Sequence, residues 1–188
     1  MCSNFLDKLR RNLSNEESQL KGASASVAVI LDSKMRVIMI RRANKENDPW
    51  SNQIAFPGGK RERDDRRYVD TAIRETREEL GIDLSKDSEF LGYLGIFSTH
   101  TGKMLVVPSV FYSNNRLEPR PNGEVSGFYW IELSSLGSNK TNYAFYREGK
   151  LVMNDAFNFE DCIIWGLSYR ILIKLLSILG SRLKAMPS

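Results

Sequence analysis

Residues 59–82 read GKRERDDRRYVDTAIRETREELGI, and the reading of this stretch decides the fold. Placed on a helix at 100° per residue, positions 69–80 divide into two faces. Val69, Ile73, Thr76 and Leu80 gather on one side, with Ala72 at its edge. Glu75, Glu78 and Glu79 gather on the other, within an arc of about 100°. Gly81 follows as a residue suited to ending a helix. Like charges at this spacing repel one another on an isolated helix. Closely spaced carboxylates that offer only oxygen are what hard divalent cations prefer. The acids alone also allow a solvated helix face balanced by Arg74 and Arg77.

The flanks sharpen the choice. AFPGGK (55–60) precedes the helix, and consecutive glycines let the backbone turn tightly and approach a ligand or metal closely. A glycine turn, a spacer, an arginine with an acid triplet and a closing Gly-Ile form a combined signal. It resembles the Nudix box, G-x5-E-x7-R-E-U-x-E-E-x-G-U with U apolar. Arg74-Glu75-Thr76-Arg77-Glu78-Glu79-Leu80-Gly81-Ile82 matches the second half, with Thr76 in an apolar slot. In the first half, that spacing puts the acid slot on Arg66 and the leading glycine on Lys60. The glycine present is Gly59, so a one-residue insertion moves the acid slot to Asp65. The lengthened form resembles the coenzyme A pyrophosphatase branch of the family. RANKENDPWSNQIAFPGG (42–59) partly resembles that branch's upstream signature, starting at Arg42-Ala43, although Asn52 stands near an expected glycine. THTGKMLVVPSVFY (99–112) looks like its strand ending in a proline and an apolar pair. DCIIWGLSYRIL (161–172) looks like its closing helix, with Ser168 for the usual threonine.

The resemblance implies a Nudix fold, a mixed β-sheet sandwiched between helices (α/β/α) with a C-terminal amphipathic helix. It also implies hydrolysis of a diphosphate by water attack on phosphorus, with Mg²⁺ or Mn²⁺. Glu75 and Glu79 are then the main metal ligands, Glu78 a ligand or close catalytic support, and the Gly59 carbonyl a further contact. Arg74 holds the carboxylates in place, and Asp65 orients the turn. Glu124 stands six residues before Trp130 in NGEVSGFYWIEL (122–133), a family-like spacing that suggests an extra ligand or general base. A loop-surface acid is its other reading. His100, the sole histidine, reads as structural. Arg41, Arg42 and Lys60 are candidates for substrate phosphates, including the 3′-phosphate of a coenzyme A-like substrate, or else are solvated cations. Trp50 and Phe56 either line the ligand pocket or fill core. Coenzyme A or acyl-CoA, cut to 3′,5′-ADP and (acyl-)4′-phosphopantetheine, leads the substrate reading, with ADP-ribose and NADH as the alternative. A catalytically silent binding module is a third reading, and the acid triplet stands against it.

The rest of the chain sets bounds. With 188 residues it suits one domain, 1–188, with a lead-in at 1–22, a core at 23–180 and the box at 59–82. Apolar residues make up 41% and charged residues 27%, a soluble globular balance. A net charge of +4 favours phosphate-rich partners, but no basic tail appears, so nucleic acid is not expected. Cys2 and Cys162 make neither a disulfide framework nor a zinc site, which fits reduced thiols in the cytoplasm. Residues 1–20 lack the apolar run of a secretory signal. IIWGLSYRILIKLLSILG (163–180) is interrupted by Arg170 and Lys174, which share a narrow stripe with Ser177 and Ser181. It reads as a C-terminal helix for the core or a homodimer contact, not a membrane span. Apolar periodicity gives a short helix at 5–13, a hairpin of 23–32 with 36–42 and a strand at 54–56. The helix from about Tyr68 to Gly81 follows, then strands at 90–98, 104–113 and 127–133. The sum is a mixed α+β domain.

Overall fold

Phe5, Leu6 and Leu9 recur at helical spacing, and the chain opens in α1 (Cys2–Asn12). Val27, Val29 and Leu31 alternate with Ala28 and Ile30 along β1 (Ala25–Asp32), so this strand carries apolar side chains on both faces. The computed structural model, which describes residues 2–180 except 47, 49, 100, 101 and 148, covers both faces with helices. β2 (Arg36–Arg42) returns antiparallel after a turn in which Asp32 Oδ1 accepts the Lys34 and Arg36 N–H groups, each at 2.9 Å. Two short strands follow, β3 (Ile54–Ala55) and β4 (Gly58–Lys60).

The acid-bearing helix is α2 (Tyr68–Leu80). Its first turn is held by neighbours: Asp70 Oδ2 accepts the Arg67 N–H and Glu17 Oε1 accepts the Tyr68 N–H, both at 2.9 Å. Donors that a helix start leaves open are thereby satisfied. At the other end Gly81 takes φ 68°, which an L side chain resists, and its N–H reaches the Arg77 carbonyl at 2.9 Å. Val69, Ala72 and Leu80 are buried against Ala28 and Ile30 of β1.

After α3 (Leu84–Asp87) come β5 (Glu89–Tyr93), β6 (Phe97–Ser98), β7 (Leu105–Ser113) and β8 (Val125–Glu132). The main sheet runs β3-β2-β1-β7-β5, with β1 and β7 parallel and its other pairings antiparallel. β4 lies against the first half of β1, pairing Gly59 with Ser26, whereas β2 meets β1 near its end. The expected single strand at 90–98 is two strands. Pro108 of β7 accepts the Leu94 N–H at 3.0 Å but has no N–H to return, and the ladder breaks there.

A second sheet went unread in the sequence. β9 (Lys140–Arg147), β10 (Lys150–Phe159) and β11 (Cys162–Trp165) form an antiparallel sheet in the order β11-β10-β9. The expected helix from 163 therefore starts later, as α4 (Gly166–Leu179). Ile164 is buried and pairs with Phe157, while Ile163 and Trp165 are half-buried, the period of a strand. Tyr143 and Phe145 stack on Trp165 at 5.0 and 4.9 Å between ring centroids. On α4, Arg170, Lys174 and Ser177 are exposed as the stripe implied, and Ser181 lies outside the described residues. Ile171, Leu172, Leu175 and Leu179 close a core with Leu9 of α1, Val29 of β1 and Phe157 of β10. Of the two readings of this apolar face, core or homodimer contact, these residues are buried within the chain. No described helix is long and apolar enough to cross a membrane.

The strand assignment at 162–165 has a direct check. Ile164→Ala should lower stability by about 2–5 kcal/mol in urea unfolding, and Ile163→Ala by less than half as much. Equal losses would contradict the alternation.

Candidate active site

The site begins where α2 crosses β4. Glu79 Oε2 accepts the Gly58 N–H at 2.9 Å. A Cβ on Gly59 would overlap the Glu75 carboxylate, so a larger residue there would have to displace that side chain. The three acids do not share one environment. The Glu75 side chain is 17% exposed, Glu78 is 54% exposed and Glu79 is 4% exposed. Two are pressed against the glycines and the third faces water.

Arg74 holds this arrangement together. Its Nε and Nη2 donate to Asp65 Oδ1 and Oδ2 at 3.3 and 3.0 Å. Its Nη1 donates to Glu75 at 3.0 Å and Glu78 at 3.2 Å, and Nη2 also reaches the Lys60 carbonyl at 2.9 Å. Asp65 is buried and its Oδ2 accepts the Glu62 N–H at 2.9 Å, which fixes the loop between β4 and α2. Burial opposes ionisation of Asp65, but the hydrogen bonds from Arg74 and the Glu62 N–H hold its pKa below the usual value. Asp65 therefore faces Arg74 and the loop, and Arg66 is exposed.

Burial raises the Glu75 pKa, opposed by Arg74 and aided by Glu78. Burial pushes Glu79 up to about 8, with the Gly58 N–H opposing and the charge of Glu75 adding to the rise. No three acids among the described residues stand close enough to hold one ion as they are placed. Glu75 and Glu79, beside the chain at Gly59, nevertheless form a hard-oxygen set in which Arg74 pairs with Glu75 and no cation pairs directly with Glu79 among the described residues. That set fits Mg²⁺ or Mn²⁺, since Mg²⁺ keeps several waters and takes one or two carboxylates.

Of the cations expected to meet phosphate, two are near this site. Arg42 lines the adjoining cleft and pairs with Asp48 at 3.0 Å, and Lys60 lies at the rim with its side chain exposed. Arg41 is placed differently: it donates to Asp161 at 2.8 Å and to Cys162 Sγ at 2.9 Å, and is not among the residues lining the cleft. Glu124 is 60% exposed and paired with Lys45, whose hydrogen bond lowers the Glu124 pKa. Its charge still contributes to the raised pKa of Glu79, so it acts on the site from nearby. His100 lies outside the described residues. Phe56 fills core at 3% exposure, whereas Trp50 is 48% exposed and lines the cleft.

The cleft has a volume of about 310 Å³ and opens at Gly59 and Lys60. Met104, Val106, Trp165 and Leu167 give it an apolar lining. These four residues were legible only as strand or helix members, because nothing local in sequence says that β7 and the start of α4 face one another. A larger recess of about 680 Å³ is lined by Asp32, Arg36, Arg116 and Trp130 and includes none of Asp65, Glu75, Glu78, Glu79 and Glu124.

Residues 21–150 match the NUDIX domain family model, and the chain belongs to the Nudix family. It is 30% identical over 181 residues to Nudix hydrolase 15, mitochondrial, of Arabidopsis thaliana, covering 90% of this chain and 63% of that protein. It is 29% identical over 159 residues to the uncharacterized Nudix hydrolase NudL of Yersinia pestis, covering 80% and 75%. A MutT/nudix family protein from Enterococcus faecalis shares the fold at a TM-score of 0.50 and 18% identity, over 96% of this chain and 75% of that one. The chain spans less than two thirds of the Arabidopsis relatives, down to 52% for Nudix hydrolase 22, chloroplastic.

The raised Glu79 pKa makes a prediction with a definite sign. Between its ordinary value of 4.5 and about 8, folded Glu79 holds a proton that the unfolded chain has released. Its contribution to stability is full below the lower value and is lost as pH rises through the upper one. In chelator, the melting temperature of the wild type should fall relative to Glu79→Gln from about pH 5 to about pH 8. Parallel melting curves would show that burial does not raise this group.

Proposed function

We propose that the chain is a metal-dependent hydrolase of the diphosphate linkage in a nucleoside diphosphate derivative. Its substrate class is coenzyme A or acyl-CoA, with 3′,5′-ADP and (acyl-)4′-phosphopantetheine as products. The observation that carries the reading is the pair of half-buried Glu75 and buried Glu79, pressed on Gly58 and Gly59 beside an apolar-lined cleft.

Glu75, Glu79 and the Gly59 carbonyl would hold Mg²⁺ or Mn²⁺, with Glu78 as a further ligand or support. When bound, such an ion supplies charge neutralisation at the diphosphate and lowers the pKa of water. Arg74 orients the carboxylates through its contacts to Glu75, Glu78 and Asp65. Arg42 and Lys60 draw substrate phosphates toward the cleft. Glu124, with its pKa lowered by Lys45, is ionised at neutral pH and takes the proton from the attacking water. The apolar lining favours a chain or planar ring beyond the diphosphate and keeps bulk water from it. The setting in this reading is cytoplasmic, argued from cysteine usage alone, with a small molecule as partner.

ADP-ribose or NADH is the second reading, and Arg41 is what favours it. With Arg41 taken by Asp161, fewer cations are left for an additional phosphate.

Pure protein with Mg²⁺ and a panel of coenzyme A, acetyl-CoA, ADP-ribose and NADH tests both readings. Coenzyme A or its thioester should turn over fastest, and a tenfold preference for another member would transfer the assignment to it. Glu79→Gln should lower kcat by on the order of 1,000-fold with the fold intact by circular dichroism. Unchanged activity in that variant would overturn the metal assignment, and no wild-type turnover of any member would favour a binding module.

A further inference from the structure

The recess of about 680 Å³ shares no lining residue with the cleft at Gly59. The two lie toward opposite ends of β1: Ala25 and Val27 line the cleft, and Asp32 lines the recess. Sites for small molecules run from about 300 to 1,000 Å³, and the recess falls within that range. Its floor is aromatic. Phe128 and Trp130 lie two apart on β8, so they share one face of the strand, and both line the recess. Phe128 is 36% exposed, and Trp130 is half-buried with the Arg36 guanidinium over its ring at 5.1 Å.

The charged groups around this floor divide into used and unused. Arg36 is used: it pairs with Asp32 at 2.6 Å, and Asp32 also accepts two N–H groups of the β1–β2 turn. Lys34 and Arg116 are exposed, and neither side chain makes a hydrogen bond or ion pair among the described residues. The same holds for the Glu118 carboxylate. Lone surface cations are ordinary, and so are single exposed rings. Two free cations around an aromatic floor, inside a cavity, are not. The wall that carries Arg116 is also tied down at both ends. The Asn115 N–H donates to Ser113 Oγ at 3.2 Å, and the Arg120 and Asn122 N–H groups donate to the Leu80 and Glu79 carbonyls at 2.7 and 3.0 Å. The recess is therefore preformed, which lowers the ordering cost of binding.

We propose that this recess is a second ligand site, apart from the catalytic cleft, and that it takes a nucleotide: a planar heteroaromatic ring carrying a phosphate. The ring lies on Phe128 beside the stack of Arg36 on Trp130, since aromatic rings and arginine planes both accept the face of a base. The phosphate meets Lys34 and Arg116. The Glu118 carboxylate, which only accepts, takes sugar hydroxyls or an exocyclic amino group. An inorganic anion would leave the aromatic floor uncovered, and a purely apolar ligand would leave both cations unused. None of the acids of α2 lines this recess, so the ligand here is held and not cut.

Calorimetric titration of adenosine 5′-monophosphate (AMP) onto the full chain tests this, in chelator so that no metal-bound phosphate at the catalytic acids contributes. The wild type should bind AMP, with adenosine and inorganic phosphate each weaker by about tenfold or more. Phe128→Ala and Arg116→Ala should each weaken AMP by about tenfold, the loss of one stacked ring or one charged contact. Both side chains are exposed, so circular dichroism should show the fold intact, and if Phe128→Ala fails to fold, Arg116→Ala decides alone. Lys60→Ala, at the rim of the catalytic cleft, should bind AMP as the wild type does. Absence of AMP binding at millimolar concentration would overturn the proposal, as would wild-type affinity in both recess variants. It is equally overturned by a loss in Lys60→Ala, which puts the nucleotide in the cleft, or by phosphate binding as tightly as AMP, which leaves a plain anion site.

Discussion

Arg74 is the interaction on which the arrangement of the site depends. One guanidinium bridges Glu75, Glu78, Asp65 and the Lys60 carbonyl, and so joins the helix to the loop that precedes it. Its planar fork can engage the two Asp65 oxygens together while another nitrogen faces the helix acids, a geometry that lysine does not offer. The repulsion among the helix carboxylates is met locally, at the point where α2 must lie closest to β4. The glycines complete the constraint from the other side. A Cβ at Gly59 would overlap the Glu75 carboxylate, and one at Gly58 would overlap the backbone of Ser26 and Val27, so at Gly58 the close approach is fixed by backbone.

This clasp separates two jobs that the acids of the box share in sequence. Asp65 stays ionised beside Arg74 and carries structure, while Glu79 is buried with its pKa pushed up to about 8. A carboxylate that gains a proton so readily when buried is one that a divalent cation can also neutralise. Glu78, in water and tied to Arg74, stands between these conditions. Position on the helix face therefore does not decide a role by itself. The element covering that face does, and β4 covers only part of the arc.

The parts legible in sequence were those in which local pattern and tertiary burial agree. The faces of α2 and the hairpin of β1 and β2 follow directly from period 3.6 and period 2. Asp65 was singled out by its spacing from Gly59, and in the structure it is Asp65 that accepts from Arg74 while Arg66 is exposed. The second sheet was missed because much of its surface is only half-buried, and Asn154 interrupts the apolar alternation that Val152 and Ala156 carry along β10. The Ile163-Ile164-Trp165 run fitted a helix equally well from sequence, and the pairing with β10 chose the strand. Arg41 and Arg42 looked equivalent as neighbouring cations, yet they engage different partners, Asp161 and Asp48, on either side of an irregularity in the pairing with β8.

The missed sheet matters because it shapes the cleft. Trp165 ends β11, stacks on Tyr143 and Phe145 of β9 and lines the apolar cavity. The chain then turns into α4, whose first residues line the same cavity and whose Ser168 hydroxyl donates to the Ile54 carbonyl of β3 at 3.2 Å. α4 is thereby registered against the strand just before the glycine turn. The acids come from the box, but the wall opposite them comes from β7, β11 and α4, far along the chain. In one polypeptide the acid-bearing helix face and the apolar wall of the cleft can accordingly vary apart from each other. That is the physical reason a box can declare the chemistry of a cleft while leaving its substrate to residues outside the motif.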